Sequence, residues 1–287
     1  MDAKEGSKNF AIGVIVGAAS IPPGISGGLI AVLFGIYERL IDDINNLRTK
    51  IKEDLGFLLA VGIGIVVGIV AMVFIAKYAW DNYLIITLFL FVGLIIGQLP
   101  SLIKMTKKGE PTRPMHVLWL TVGIIVMLFL LYLELRSGNI DGGERLIEDS
   151  TLVVGMLLSF VAGAILAVSK IIPGISGSTV LLALGLYKWM LDIISDFDMI
   201  NLIPFGIGFV IAVFGFAKVM GYILKNHHHA IYYFVTGLTI GSMILILYLA
   251  ADGSSGMNDI LIGCAAVVIG IVISLALSMV KNPKENV

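Results

Sequence analysis

Charged residues are scarce in this chain. They make up 14% of its 287 residues, whereas a soluble domain carries about 25%. Hydrophobic residues make up 58% of the chain, and the mean hydropathy is +1.01. So few charges cannot cover a water-exposed surface, which excludes soluble folds. Since about 20 apolar helical residues cross a hydrocarbon core, the composition predicts an all-α polytopic membrane protein.

Other scarcities exclude further classes of function. A single cysteine, Cys264, rules out an intrachain disulfide, and a net charge of −1 gives no basic excess for nucleic acid. No nucleotide-binding motif is present, so gradients or mass action must supply any driving energy. No clustered nucleophile, base or metal set supports an enzyme such as a lipid phosphatase. We therefore expect no catalytic residues, no metal site and no cofactor.

Long apolar runs fill most of the chain. Six of them are long enough to span a membrane: 57–76, 84–103, 115–134, 203–224, 231–250 and 259–280. Two more, 10–41 and 151–191, are interrupted by glycine and proline. These two interrupted runs are typical of broken helices.

The two interrupted runs are copies of one segment. The sequence Pro-Gly-Ile-Ser-Gly begins at Pro23 and again at Pro173, an offset of 150, and the offset later shortens to 144 where Gly62 meets Gly206. Each half therefore holds one broken segment and three ordinary spans. We predict a first repeat at 1–135, an acidic outer linker at 136–150 and a second repeat at 151–287.

Basic residues indicate how the broken segments lie. If each is a re-entrant hairpin and the N-terminus is cytoplasmic, thirteen basic residues lie inside: Lys4, Lys8, Arg39, Arg48, Lys50, Lys52, Lys104, Lys107, Lys108, Arg113, Lys225, Lys281 and Lys284. Four lie outside: Lys77, Arg136, Arg145 and Lys188. The positive-inside rule favours this arrangement over a single crossing, and it places both termini in the cytoplasm. Two crossings per segment would leave the same charge distribution, but the arm before Pro22 is too short for that.

Three spans per half is an odd number, so the second half must be inverted relative to the first. Inverted repeats with discontinuous helices are the architecture of many secondary transporters. In each hairpin a helix begins after the Pro-Gly break, and its free N–H groups attract anions, phosphate above all. The alternative interpretation is that the glycines only let two short helices pack closely.

The paired motifs PPGISGGLIAVLFGIYERLIDDI and IIPGISGSTVLLALGLYKWMLDII resemble the signatures of the polyprenyl-phosphate translocases. The resemblance covers nearly the whole chain. It implies a flippase that returns a lipid carrier such as undecaprenyl phosphate to the cytoplasmic leaflet of the cell membrane. The family residues carry over as Pro23, Gly24, Ser26, Gly27, Tyr37, Glu38, Pro173, Gly174, Ser176, Gly177, Ser178 and Tyr187.

Candidate site residues fall into three groups. Phosphate-binding candidates are Gly24, Ser26, Gly27, Gly28, Lys170, Gly174, Ser176, Gly177, Ser178 and Thr179. Cations that could guide phosphate are Arg39, Lys77 and Lys218, and carboxylates that could couple transport to protons are Glu38, Asp42 and Asp192. Tyr37, Tyr187, Trp80 and Trp189 are expected to be anchors at the membrane interface.

One rival function stays open on the sequence alone, a secondary transporter or channel for small soluble anions. It needs a cavity sealed from lipid, whereas a flippase needs a lateral opening. The expected partners are a polyprenyl phosphate and the bilayer, without nucleic acid. The polyprenyl chain, the direction of transport and the oligomeric state are left open.

Overall fold

The computed structural model describes residues 3–45, 47–107, 114–137, 152–171, 176–252 and 256–279. Within these ranges the chain is helical and contains no strand. The helices of the first half are α1 (Ala3–Ala19), α2 (Gly27–Leu33), α3 (Tyr37–Asn45), α4 (Leu47–Asn82), α5 (Leu84–Lys107) and α6 (Pro114–Ser137). Those of the second half are α7 (Leu152–Ile171), α8 (Gly177–Ala183), α9 (Tyr187–Ser195), α10 (Met199–Asn226), α11 (His228–Asp252) and α12 (Met257–Met279).

Several of these helices are long and apolar enough to cross a membrane. Five segments qualify on their own: Asp54–Asn82, Leu84–Lys104, Leu152–Ser169, His228–Ala251 and Asn258–Leu277. A sixth candidate is the pair formed by α9 and the first part of α10, which is bent by 117°. The all-α membrane class predicted from composition is therefore confirmed. One feature differs from the prediction, since α7 is by itself long enough to span.

The short helices α2 and α8 end in the same way. Gly35 and Gly185 follow them with φ of 70° and 69°, in the left-handed region that favours glycine. The next residue in each copy donates its N–H five residues back, from Ile36 to the Ala31 carbonyl and from Leu186 to the Leu181 carbonyl. This is the Schellman helix end. The two copies of the motif thus share this helix end.

Glycines let α1 approach α4 closely. A Cβ added at Gly13 would lie 2.4 Å from the Val61 carbonyl oxygen, and one at Gly17 would lie 2.1 Å from that of Ile65. The contact therefore advances in the same direction along both helices, so α1 and α4 are parallel. The second half repeats this register, because Gly163 packs on Phe205. Gly163 lies 150 positions after Gly13, and Phe205 lies 144 positions after Val61.

A second kind of helix pair links the two halves. Gly93 of α5 packs on Val267 of α12, and Gly97 packs on Ile271 and Ser274, so these two helices are also parallel. The matching contacts in α11 and α6 join Gly237 to Leu120, and Gly241 to Ile124 and Met127. Because Leu120 matches Val267 and Met127 matches Ser274 at an offset of 147, the structure extends the repeat to the last helix of each half.

Further contacts hold the halves together at the centre. Helix α5 packs on α11, α9 packs on α4, and α8 packs on α11. The largest apolar cluster combines Val92 and Ile95 of the first half with Leu181, Leu191 and Ile246 of the second. The two broken segments therefore lie against a core that both halves build.

Candidate functional site

The first helix break contacts the start of α8, the short helix that follows the second copy of the motif. The backbone N–H of Gly24, in the first break, donates a hydrogen bond of 2.9 Å to Oγ1 of Thr179, in the first turn of α8. The hydroxyl of Ser178 donates to the carbonyl of Pro22 over 3.3 Å. These contacts join residues more than 150 positions apart in the chain. The structure thus brings together candidates from both copies of the motif.

Gly24 occupies a position that only glycine tolerates. Its φ is 80°, and a Cβ added there would lie 2.6 Å from the backbone carbon of Leu94 and 2.7 Å from the nitrogen of Ile95 in α5. The first break is therefore pressed against the middle of a core helix. This close approach turns its N–H towards Thr179.

Ser26 and Ser176 occupy the N-cap positions of α2 and α8, as predicted, but neither side chain caps its helix. The Ser176 hydroxyl lies 2.8 Å from the Ser178 hydroxyl. Ser176, Ser178 and Thr179 are buried, with exposures of 2%, 1% and 5%. A cluster of hydroxyls is thus buried where the first break touches the start of α8.

The candidate glycines divide by the space around them. A Cβ at Gly27 would lie 1.9 Å from the Ser20 hydroxyl oxygen, and one at Gly177 would lie 2.6 Å from Leu166 Cδ1. Close packing of each short helix on the preceding arm thus accounts for both. Gly28 differs, because a Cβ there would meet only Ser26 Oγ, at 3.6 Å. Packing therefore does not require glycine at position 28.

Some candidates are only partly described. Lys170 lies in the last turn of α7, Lys218 in α10 and Glu38 in α3, but their side chains are outside the described part of the structure. Gly174 lies outside the described residues altogether. Asp42 is described and is exposed.

Arg39 is held in ion pairs within the first half. Its guanidinium pairs with Asp54 of α4 and lies 3.9 Å from Glu5 of α1. It also stacks over the ring of Phe57, 4.0 Å from the centroid. These contacts tie α3 to α1 and α4.

Lys77 and Asp192 belong to a charged cluster that joins the halves. The Lys77 ammonium lies 2.8 Å from carboxylate oxygens of both Asp192 and Asp196. Lys188 lies 2.5 Å from Asp192 and 3.5 Å from Asp81. We call these five residues, Lys77, Asp81, Lys188, Asp192 and Asp196, the lysine–aspartate cluster. Only Lys77 and Asp192 were candidates from sequence; the spacing of four between Lys188 and Asp192 was the available signal for a third member.

The hydrogen bond from Lys77 lowers the pKa of Asp196, and a second one from the Ser195 hydroxyl acts in the same direction. Both bonds favour the ionised carboxylate. Asp196 therefore stays charged in this cluster.

The expectation that Tyr187 and Trp189 are interface anchors is wrong. Their exposures are 0% and 5%, and the Tyr187 ring packs 5.6 Å from Trp80 and 5.5 Å from Phe91, between centroids. Both side chains are buried because α9 packs into the core. The sequence could not reveal this burial, because Tyr37 has the same place in the first copy of the motif. Tyr37 itself is half-buried.

Histidines gather at the other end of the bundle. The rings of His116 and His229 stack with centroids 4.8 Å apart, and the rings of His116 and Tyr233 stack with centroids 5.0 Å apart. His229 Nδ1 lies 2.8 Å from the Thr106 carbonyl oxygen. The sequence contains no signal that His116 and His229 are in contact, because they are 113 positions apart.

Comparisons with known proteins agree with one another. A family model described as undecaprenyl phosphate translocase-like matches residues 16–260. A relative from Vibrio cholerae named polyprenyl-phosphate transporter is 28% identical, over 80% of this chain and 74% of the relative. A relative of the same name from Staphylococcus aureus is 26% identical, over 96% of this chain and 98% of the relative. No solved structure matches the chain.

Proposed function

Because the chain belongs to the undecaprenyl phosphate translocase-like family, we propose that it is a flippase for a polyprenyl phosphate. It moves the lipid carrier across the cytoplasmic membrane so that the carrier can be reused. Both curated relatives are named polyprenyl-phosphate transporters, which supports this substrate and a transporter rather than an enzyme.

The observation that carries the proposal is the contact between Gly24 and Thr179. It brings two broken segments together against the core, where backbone N–H groups and buried hydroxyls lie side by side. Irregular backbone at membrane depth is tolerated only where it is buried in protein or lines a cavity. N–H groups at helix starts favour phosphate. A lipid phosphate needs such a polar place for its head while its tails stay in the bilayer.

The parallel packing of α1 and α4 supports a re-entrant first hairpin. If α1 and α2 crossed the membrane once, α4 would return in the opposite direction and would be antiparallel to α1. Two crossings are disfavoured by length, because the seven residues of α2 rise only about 10 Å. We therefore place the start of α1 and the end of α2 on the same side of the membrane.

The parallel packing of α5 and α12 supports the same arrangement for the second hairpin. A single crossing by α7 and α8 would reverse α10, α11 and α12, and α12 would then oppose α5. With both hairpins re-entrant, the halves 1–135 and 151–287 form an inverted repeat. The positive-inside rule then places the termini in the cytoplasm and the lysine–aspartate cluster at the outer face.

The phosphate site that we propose uses groups from both breaks. The hydroxyls of Ser26, Ser176, Ser178 and Thr179 and the backbone N–H groups near Gly24 and Gly28 are its donors. Gly27 and Gly177 let the short helices sit close enough, and Gly174 is included from the sequence motif. Lys170, at the end of α7, supplies the positive charge, since a lysine deep in an apolar segment is costly unless it has a function.

The proposal is tested in vesicles that contain the purified protein and a labelled polyprenyl phosphate. We expect faster exchange between leaflets than in empty vesicles. The double variant Ser176→Ala, Ser178→Ala should slow it roughly tenfold or more, because a hydrogen bond to a charged group contributes about 1.5–3 kcal/mol. Ser159→Ala is the matched control, because Ser159 is equally buried but bonds Gly155 and Asn201.

Two outcomes would refute the proposal. Exchange no faster than in empty vesicles would exclude a flippase. Uptake of inorganic phosphate without lipid exchange would instead identify a transporter for soluble anions.

A further inference from the structure

The lysine–aspartate cluster connects two helices that belong to different halves of the chain. Lys77 and Asp81 lie in α4 of the first half, whereas Lys188 and Asp192 lie in α9 of the second. Two ion pairs cross between these helices, Lys77–Asp192 at 2.8 Å and Lys188–Asp81 at 3.5 Å. By contrast, the Arg39 pairs at the other end stay within the first half. The cluster therefore holds one half against the other.

An apolar layer lies next to the cluster, along α9. Trp80 and Phe91 of the first half surround the Tyr187 ring, and Met190 and Leu191 are 1% and 0% exposed. Side chains of both halves thus fill this end of the interface. Movement of α9 away from α4 would open this end of the interface.

The Tyr187 hydroxyl weakens this packing. It is fully buried and makes no hydrogen bond within the described residues. A buried polar group without a partner destabilises the packed state, and phenylalanine would fill the same space without that cost. Separation of α9 from α4 would give the hydroxyl water as a partner. The hydroxyl therefore favours the separated state over the packed one.

We propose that the lysine–aspartate cluster and the α9 layer form a gate, which is closed in this structure. The proposal rests on the proposed function, since a gate presupposes transport. The gate opens when the ion pairs between α4 and α9 break and α9 separates from α4. The phosphate head then reaches the breaks from this side.

The repeat supplies charges at the opposite face for one of the two ion pairs that cross between α4 and α9, since Lys77 corresponds to Gly221. At the offset of 150, Lys188 corresponds to Glu38 and Asp192 to Asp42; at 144, Asp81 corresponds to Lys225. The pair Lys188–Asp81 thus becomes Glu38–Lys225, with both signs exchanged. Attraction is kept, so α3 and α10 have the charges to close the opposite face when α4 and α9 open.

A reversible cross-link tests whether the gate must open. Asp81→Cys and Lys188→Cys are introduced in a Cys264→Ser background and joined by a short bis-methanethiosulfonate reagent. We expect the cross-link to abolish lipid phosphate exchange in vesicles and reduction to restore it. The control pair, Tyr78→Cys and Tyr83→Cys, joins two exposed, neighbouring residues of one half, and its cross-link should leave exchange unchanged. Undiminished exchange through the cross-linked gate would overturn the proposal.

A labelling experiment tests the gate without measuring transport, so it remains decisive if the flippase proposal fails. Met190→Cys in the Cys264→Ser background should react slowly with a membrane-impermeant maleimide. Adding Lys77→Gln and Asp192→Asn should accelerate labelling about tenfold or more, because loss of the ion pairs raises the population of the open state. Asp54→Asn is the control and should leave the rate unchanged. An unchanged rate in the Lys77→Gln, Asp192→Asn protein would refute the gate.

Discussion

Helices α3 and α9 hold the same place in the repeat but have different surroundings. Four of the nine residues in α3 are charged, against two of nine in α9. Helix α9 buries six side chains, among them Tyr187, Trp189 and Leu191. In α3, Arg39 is 43% exposed and Asp42 is exposed. A shared backbone pattern therefore does not give a shared environment.

The difference shows that the molecule is asymmetric in this structure. Its repeated helix ends and helix pairs match residue by residue, yet α9 is packed across the boundary between halves while the ion pairs of Arg39 stay inside one half. The two copies of one unit are thus packed differently, as the proposed gate requires.

The largest expected effect is at Tyr187. Tyr187→Ala should lower the free energy of unfolding by about 3–5 kcal/mol, because it empties a fully buried aromatic site. Tyr37→Ala should cost clearly less, because Tyr37 is half-buried. Unfolding of both variants in detergent, followed by circular dichroism, measures the difference. Equal losses would show that α3 and α9 are packed alike.

Substitution of the two helix-ending glycines sharpens the comparison from the opposite side. Gly35→Ala and Gly185→Ala should each destabilise the protein by about 1–2 kcal/mol, because both force a side chain into the left-handed region. The two losses should agree, since the φ angles do. Gly62→Ala is the control, because Gly62 is helical and has nothing within 4 Å of an added Cβ. Unequal losses in the same unfolding assay would mean that surroundings, and not the shared backbone, set the cost.

The smallest effect concerns Asp196, beside the end of α9. Its pKa lies below the ordinary value of 3.8 because Lys77 and then Ser195 donate to it. A lowered pKa gives a stabilisation that is present above the ordinary value and is lost as the pH falls through the lowered one. Asp196→Asn should therefore flatten the acid side of the stability–pH curve. The change should be small, because the side chain is 62% exposed, and an unaltered curve would contradict it.

Much of the fold could be predicted from sequence because its signals are local. Apolar length gave the helices, and Gly35 and Gly185 marked equivalent helix ends. The match between α6 and α12 was missed, because single glycines such as Gly123 and Gly270 carry no signal until their partners in α11 and α5 are known.

The site was predictable to a similar degree. Gly24, Ser178 and Thr179 were chosen from motifs, and the structure brings them together. The lysine–aspartate cluster could not be assembled, because Asp81 and Lys188 lie on helices whose contact depends on the whole fold. The burial of Tyr187 was missed for the same reason.

The glycine-lined helix pairs have a consequence for how the protein is made. Helix α1 can pair with α4 early in synthesis, but α5 and α6 must wait for α12 and α11, which are made last. Until then the glycine faces of α5 and α6 lack the partners that they pack on in the finished protein. Membrane assembly therefore cannot finish before the chain is nearly complete. If the two halves were expressed as separate polypeptides, each half would expose the helix faces that normally pack on the other half.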